Sequence, residues 1–425
     1  MRTRLLVRDF DPFVVFQLFR HLRNVNSWLL SVLIGLVVAG VISAASALSG
    51  SFGHVSDFQP VQDFQRLFSL GRTQPAVPEF PLIRDITSWY LVFVVVATCG
   101  IVHRQWQLMA RCLSGLAENG VLRPKPVLTL GRRSRWLQVH RYVETERPQE
   151  ALNNFIGRIN DVLAARVARW APVLAGISAF LVLSLIIADK ESLFHVLVPR
   201  ALTVSKQTEW LSNAYASWWA SIDHPVGLIA YFVVAFVGAY VIVLQNLIGV
   251  ASVYIIAALP DLAEFDADWL NRDGHYGWKP VLRVFRTVYI SLSLHGLTIS
   301  ILLIVLGLQS FPWIFGLVAI WVVVVPLYIA VPWRLFRHVE DRAKQRRVDE
   351  LGAMLGGRDM DESPNLAHAR VVALEIERTR RARIRPVRVL VPELSTFGIA
   401  VLLPLVLTAA QIWFSVRFGA VKPGA

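Results

Sequence analysis

A short row of polar side chains interrupts one of the apolar stretches of the sequence. Ser291, His295 and Thr298 are spaced by about one helical turn, so a helix would place them on one face. Histidine changes its charge near neutral pH, and an ionisable group inside a membrane helix is costly unless it has a partner or a function. The row therefore predicts either a pore-lining or pH-sensing face, or a neutral imidazole that hydrogen-bonds to a neighbouring helix.

A second polar pair lies near the C-terminus. Thr408 and Gln411 follow Pro404 within another apolar run. If several copies of the chain met around an axis, these side chains would line a pathway. Proline and polar residues are also tolerated in well-packed membrane helices. Pore lining in a homo-oligomer and ordinary packing are thus both open.

The sequence lacks the motifs of the common enzyme classes. There is no G-x-S-x-G elbow, no H-E-x-x-H zinc pair and no G-x-x-x-x-G-K-[ST] phosphate loop. The apolar runs also lack the Asp and Glu relays that coupled transporters commonly carry at membrane depth. Cys99 and Cys112 have neither the number nor the spacing of a disulfide framework or zinc site. We therefore expect no catalytic residue, no metal and no cofactor, and we favour passive conduction, sensing or scaffolding.

The elements that must position the polar residues are membrane helices. Hydrophobic residues make up 55% of the 425 residues and charged residues only 17%, against about 25% charged residues in a soluble domain. Roughly 17 to 25 apolar residues cross the hydrocarbon core of a bilayer. Seven runs without Asp, Glu, Lys or Arg fit: 27–48, 86–102, 172–188, 226–244, 288–308, 312–333 and 396–414. The predicted fold is all-α, a polytopic transmembrane bundle of about seven spans.

The first run carries a small residue at every fourth position. The members of this stripe are Ser31, Gly35, Ala39, Ser43 and Ala47. Small residues let membrane helices approach closely, so the stripe predicts a helix-packing face. The end of the run also resembles the cleavage site of a signal peptide, although its length and the 26 residues before it favour a spanning helix.

Basic residues are distributed unevenly between the two sides of the predicted bundle. With a cytoplasmic N-terminus, the cytoplasmic segments hold 35 of the 43 Lys and Arg residues. Because Lys and Arg concentrate on the cytoplasmic side of membrane proteins, we expect a cytoplasmic N-terminus and an external C-terminus in a bacterial cytoplasmic membrane. This topology accounts for the net charge of +13, so nucleic acid is not an expected partner.

The spans divide the chain into four regions. Residues 1–26 are a cytoplasmic segment, with an interfacial helix over 8–23 that Asp11 caps and Pro12 begins. Residues 27–333 are a six-span membrane region with a basic cytoplasmic loop, 103–169. Residues 334–392 form a cytoplasmic helical hairpin, and 393–425 hold the last span and the external C-terminus. The acidic residues of 261–273 predict a solvated loop or ion-pair partners for the basic loops.

A cluster of arginines precedes the last span. Its members are Arg378, Arg380, Arg381, Arg383, Arg385 and Arg388. Beside the inner leaflet, each basic residue gains roughly 1 kcal/mol from anionic lipid. The cluster therefore predicts either a topology signal alone, or binding of anionic lipid headgroups that sets the position of the hairpin on the lipid bilayer.

The order of these regions is similar to the layout of the insect chemoreceptor ion channels. Both have seven spans, a cytoplasmic N-terminus and a cytoplasmic helical region before the last span. The likeness is one of layout, and no functional residue is transferred from it. We expect a multimeric membrane channel or sensor without catalysis. The alternatives are a membrane scaffold or accessory subunit of a larger complex, and an enzyme that acts on a lipid-borne substrate.

Overall fold

The computed structural model describes residues 7–16, 20–54, 57, 79–125, 139, 148–188, 193–194, 198, 202–271, 273–306, 318–319, 337, 339–353, 366–382, 402, 406 and 409. Of these residues, 78% are helical and 2% lie in strands. The helices are α1 (Ser27–Leu48), α2 (Ile86–Met109), α3 (Cys112–Glu118), α4 (Pro148–Val162), α5 (Ala168–Ala188), α6 (Val204–Ala216), α7 (Pro225–Leu262), α8 (Lys279–Leu306) and α9 (Leu366–Arg381). The fold is therefore helical, as predicted.

Five helical stretches of the described chain are long and apolar enough to cross a membrane. They contain α1, α2, α5, α7 and α8, which coincide with the first five predicted spans. The predicted spans 312–333 and 396–414 lie outside the described residues, apart from 318, 319, 402, 406 and 409. A total of seven spans stays a prediction.

Side-chain caps determine where the first two of these helices begin. The Asn26 side chain accepts a hydrogen bond from the backbone N–H of Trp28 at 2.9 Å. The Asp85 side chain does the same for the N–H of Ser88 at 3.1 Å. A helix leaves its first N–H groups without partners, and each of these caps satisfies one of them where the apolar run begins.

The helix α7 is longer than one membrane crossing requires. Its 38 residues correspond to about 57 Å, nearly twice the hydrocarbon thickness. One end of α7 must therefore extend beyond the apolar layer. This end leads into strand β2 (Ala263–Phe265), which pairs antiparallel with β1 (Leu122–Pro124) and sets Arg123 opposite Glu264.

The helix α4 continues into α5 through a π-helical segment, Leu163–Val167. The apolar face of α4 includes Leu152, Phe155 and Ile156, which are all buried. The chain thus enters its third span as a continuous helix whose first part packs on the rest of the protein.

The predicted interfacial helix over 8–23 is interrupted. Asp11 accepts a hydrogen bond from the N–H of Phe13 at 3.1 Å, but the 3₁₀ turn that it caps covers only Pro12–Val15. Phe16 then adopts an extended conformation. The ring of Phe13 is fully buried and meets those of His103 and Trp106 edge-on, with centroids 5.7 and 5.6 Å apart. Burial of this ring in the bundle favours a short turn here over a helix on the membrane surface.

The packing of α1 on α2 follows the predicted stripe only at its start. Ser31 donates a hydrogen bond to the carbonyl of Val96 at 3.2 Å, and a Cβ atom on Gly35 would lie 3.3 Å from the Val96 side chain. Farther along, Ile42 is buried while Ala47 is exposed. A four-residue repeat drifts by about 40° per step around a helix of 3.6 residues per turn, so the stripe rotates away from α2.

Two further helical segments fall within the predicted hairpin region, residues 339–353 and α9. Arg346 of the first segment forms an ion pair with Glu264 of β2, with N and O atoms 3.2 Å apart. This contact places segment 339–353 beside the extended end of α7. That the two segments pair as a hairpin stays a prediction.

Candidate functional site

The polar row on α8 meets side chains from two other helices. We call the five residues that take part the polar seam: Tyr90, Gln245, Ser291, His295 and Thr298. Tyr90 comes from α2 and Gln245 from α7. The sequence predicted the three residues on α8 as one face, and the structure adds the two residues that meet this face.

The first contact of the polar seam joins α7 to α8. Gln245 donates from Nε2 to the Ser291 hydroxyl oxygen at 2.5 Å, and Ser291 is fully buried. The other amide atom, Gln245 Oε1, is buried without a hydrogen-bond partner within the described chain. Hydrogen bonds between membrane helices contribute about 1 kcal/mol, so this contact ties α8 to α7 but leaves an acceptor unused.

The second contact joins α2 to α8. The hydroxyl oxygens of Tyr90 and Thr298 are 3.4 Å apart. Thr298 already donates its single hydroxyl proton to the carbonyl of Leu294 at 2.8 Å. Tyr90 is therefore the donor to Thr298.

His295 lies on α8 between these two contacts. Its Nε2 atom is buried, and no described residue hydrogen-bonds to it. A buried polar atom without a partner costs about 1–3 kcal/mol. The seam thus holds a titratable group whose hydrogen-bonding capacity is not used up by described neighbours.

The other predicted pore residues, Thr408 and Gln411, lie outside the described residues. The same is true of Arg383, Arg385 and Arg388 of the arginine cluster. That Thr408 and Gln411 line a pathway therefore stays a prediction.

The described part of the arginine cluster lies on the last turn of α9. Arg378 forms an ion pair with Glu375 at 3.6 Å, and Arg381 forms one with Glu377 at 2.5 Å. The side chains of Arg378 and Arg381 are 79% and 80% exposed, and Arg380 is exposed as well. Such exposed pairs contribute little to stability, so these arginines stay accessible to an anionic surface.

A buried carboxylate that the sequence analysis did not select lies where α2 begins. Asp85 accepts hydrogen bonds from the indole N–H groups of Trp218 at 2.7 Å and Trp219 at 3.0 Å, and from the Ser88 hydroxyl at 2.5 Å. Its position just before an apolar run is an N-cap signal. No sequence signal connects it to two tryptophans that follow more than 130 residues later.

The acidic segment 261–273 takes part in ion pairs and a turn. Asp266 pairs with Arg123, and Glu264 pairs with Arg346. Burial would raise the pKa of Asp273, but hydrogen bonds from the backbone N–H groups of Gly277, His275 and Lys279 outweigh it and lower that pKa. In the part of the chain that the structure covers, no group of three or more His, Cys, Asp or Glu residues is arranged to hold a metal ion.

The described helices define a class of protein, the α-helical integral membrane proteins. No family model, curated protein or solved structure matches the chain. Its function must therefore be inferred from its own residues and their geometry.

Proposed function

We propose that the protein is a multimeric membrane channel or sensor without chemical catalysis. The observation that carries this proposal is His295, which presents a buried Nε2 atom between two interhelical contacts of the polar seam. An ionisable residue within a membrane helix points to function by default. A scaffold would need the two contacts to hold its helices together, but it would gain nothing from a buried imidazole nitrogen without a described partner.

The polar seam supports two arrangements of α8. A protonated imidazole donates from both ring nitrogens, so His295 would then require an additional acceptor. Buried oxygens without a described hydrogen-bond partner are present on both neighbouring helices, Oε1 of Gln245 on α7 and Oγ1 of Thr98 on α2. A shift of α8 toward either acceptor would break one contact of the seam. In a sensor, this shift of α8 is the signal. In a channel, the same shift opens the conduction pathway.

The proposal includes seven spans, a cytoplasmic N-terminus, an external C-terminus and assembly into a homo-oligomer in a bacterial cytoplasmic membrane. Basic residues support the orientation, because Arg104 and Arg111 mark the end of α2 and Arg283 lies at the start of α8. We also propose anionic lipid headgroups as partners of the arginine cluster, which the exposure of Arg380 supports.

Reconstitution of the full chain into liposomes tests both forms of the proposal. Flux of small ions and solutes would be measured across a range of pH and voltage, and hydrogen exchange of α8 across the same pH range. We expect a response to pH that His295→Gln removes, because glutamine cannot titrate. His21→Gln is the matched control, since His21 is exposed and lies outside the seam.

The outcomes separate the alternatives. Flux that depends on His295 supports a channel, and a His295-dependent change in exchange without flux supports a sensor. If the protein shows neither flux nor a difference between the His295→Gln variant and the wild type, the proposal is wrong and a scaffold is the better interpretation.

A further inference from the structure

A cleft of about 810 Å³ opens at one end of the bundle, where α1 begins, α2 ends and α8 begins. Its walls are formed by residues 23–28, by the last turns of α2 with α3, and by Asp273 with the first turns of α8. This volume falls within the range of small-molecule sites, about 300–1,000 Å³. The cleft lies apart from the polar seam, because none of the residues that line the cleft belongs to the seam.

Positive charge dominates the lining of this cleft. We call it the basic cleft after its cationic residues, Arg23, Arg104, Arg111, Lys279 and Arg283. The acidic residues that line it are Glu118 and Asp273. The Asp273 carboxylate accepts hydrogen bonds from the backbone N–H groups of His275, Gly277 and Lys279, so it shapes the turn before α8. The lining thus carries more positive than negative groups.

Most of the cationic groups have no carboxylate partner among the residues that the structure describes. Arg23 lies 3.7 Å from the Asp11 carboxylate. By contrast, Arg104, Arg111, Lys279 and Arg283 are exposed and form no ion pair with any residue that the structure describes. Lys279 and Arg283 are one turn apart on α8, where like charges repel. An anion in the basic cleft would relieve this repulsion.

Hydrogen bonds hold the walls of the basic cleft in place. Gln107 donates from Nε2 to the carbonyls of Arg23 at 2.7 Å and Val25 at 2.9 Å, which fastens the start of α1 to α2. On the other wall, Asn119 donates to the carbonyl of Gly277 at 3.0 Å. A site that is already formed loses less entropy when a ligand binds.

The residues around the basic cleft are typical of the level of the membrane surface. Trp28 lines it, lies in the first turn of α1 and is 72% exposed, as is typical of tryptophan at the headgroup level. Leu29, Val32 and Leu33 follow on α1 and are exposed apolar side chains. A lipid could therefore place its acyl chains along α1 and its headgroup in the basic cleft.

We propose that the basic cleft binds a phosphate group, carried either by an anionic lipid headgroup or by a soluble phosphate compound. Guanidinium groups match phosphate oxygens in geometry and charge, and they bind them through paired hydrogen bonds. Arg104 supplies such a group from α2, Arg111 supplies one from the turn between α2 and α3, and Arg283 supplies one from α8. The ligand would bridge two membrane helices. This binding site does not depend on the channel or sensor function proposed above.

The test uses the full chain in nanodiscs. Discs of phosphatidylcholine with phosphatidylglycerol probe a lipid source, and pyrophosphate added to discs of phosphatidylcholine alone probes a soluble source. The test variant combines Arg104→Gln with Arg283→Gln. The matched control combines Arg166→Gln with Arg169→Gln, which removes the same charge from exposed positions in the π-helical segment and in the first turn of α5. Binding would be measured as the shift in thermal unfolding with probe concentration.

We expect the wild type and the control to bind at least one probe, and the cleft variant to bind it about tenfold more weakly or worse, because two charge-assisted contacts are lost. A response to phosphatidylglycerol alone identifies a lipid ligand, and a response to pyrophosphate identifies a soluble one. Thermal unfolding measured without probe verifies that each variant is folded. If the double variant does not fold, the single variants Arg104→Gln and Arg283→Gln replace it. The proposal is overturned if neither probe binds the wild type, if the cleft variant binds equally well, or if the control loses as much affinity.

Discussion

At the residue scale, Asp85 connects two distant parts of the chain through one buried carboxylate. It caps α2 by accepting a hydrogen bond from the backbone N–H of Ser88. It also accepts hydrogen bonds from the indole N–H groups of Trp218 and Trp219, which precede α7. Charge-assisted hydrogen bonds of this kind contribute more than neutral ones, and the indole N–H of Trp218 has no other acceptor among the described residues. Asp85 therefore stabilises the start of α2 against the segment before α7.

Replacement of the Asp85 carboxylate is expected to lower the stability of the protein. Asp85→Asn keeps the shape of the side chain but replaces one acceptor oxygen with a donor that faces other donors. We expect the free energy of unfolding to fall by about 2 kcal/mol, as measured by denaturant unfolding in one detergent. Asp223→Asn, at an exposed position before α7, is the control. Equal stability of the Asp85 variant and the wild type would show that the tryptophans do not depend on this carboxylate.

The lowered pKa of Asp273 predicts how the stability of the protein depends on pH. Burial raises its pKa, but the N–H groups of Gly277, His275 and Lys279 lower it more, so its pKa in the folded protein lies below the ordinary 3.8. The stabilisation from this group is therefore fully present above about pH 4 and is lost as the pH falls through the folded pKa.

This dependence can be measured on the Asp273→Asn variant. We expect it to be less stable than the wild type near neutral pH, with a difference that shrinks below about pH 4. Asp341→Asn removes a charge at an exposed position and serves as the control. A difference that stays constant down to the lowest measurable pH would contradict the role assigned to Asp273.

At the element scale, the close approach of α1 to α2 depends on Gly100. A Cβ atom added there would lie 1.9 Å from the Ser31 hydroxyl oxygen, 3.2 Å from Ser31 Cβ and 3.3 Å from the carbonyl oxygen of Ser27. The Ser31 hydroxyl can rotate away, but the Ser31 Cβ and the Ser27 carbonyl oxygen are held in place by the backbone of α1. Small residues at such positions are what allow two membrane helices to pack.

Gly100→Ala is therefore expected to destabilise the protein by about 1–3 kcal/mol, the usual cost of overpacking. Ser31→Gly in the same chain should restore part of the loss, because it removes two of the three atoms in conflict. Gly40→Ala is the matched control on α1, where an added Cβ atom meets nothing within 4 Å. If Gly100→Ala and Gly40→Ala unfold alike, α1 and α2 do not pack as described.

At the scale of the whole molecule, the distribution of basic residues predicts the topology. Single cysteines at Asp268 and Asp361, in a chain without Cys99 and Cys112, should react with an impermeant reagent only after the membrane is opened. Cysteines at Asp63 and Lys206 should react in intact cells, since few basic residues flank them. If Asp361 and the C-terminus were on the same side, the last predicted span would be wrong and the count would fall to six.

The sequence by itself determined the class of the protein and the start of several helices. Apolar runs long enough to cross a membrane predicted the helices that include α1 and α2, and the caps at Asn26 and Asp85 lie at their starts. These features depend on residues within a few positions of one another, because a helix satisfies its backbone locally and its length follows from the thickness of the bilayer. For the same reason, the polar face of α8 followed from spacing alone.

Only the tertiary structure decided which residues meet. Gln245 reaches Ser291 across 46 positions of the chain, Tyr90 reaches Thr298 across 208, and Asp85 reaches Trp218 across 133. The basic cleft likewise combines three helix ends that are far apart in the chain. Periodicity determines which residues share a face of a helix, but the neighbour of that face depends on how all the helices pack at once. The interruption at Phe16 has the same origin, because burial of Phe13 in the bundle outweighs the local preference for a longer helix.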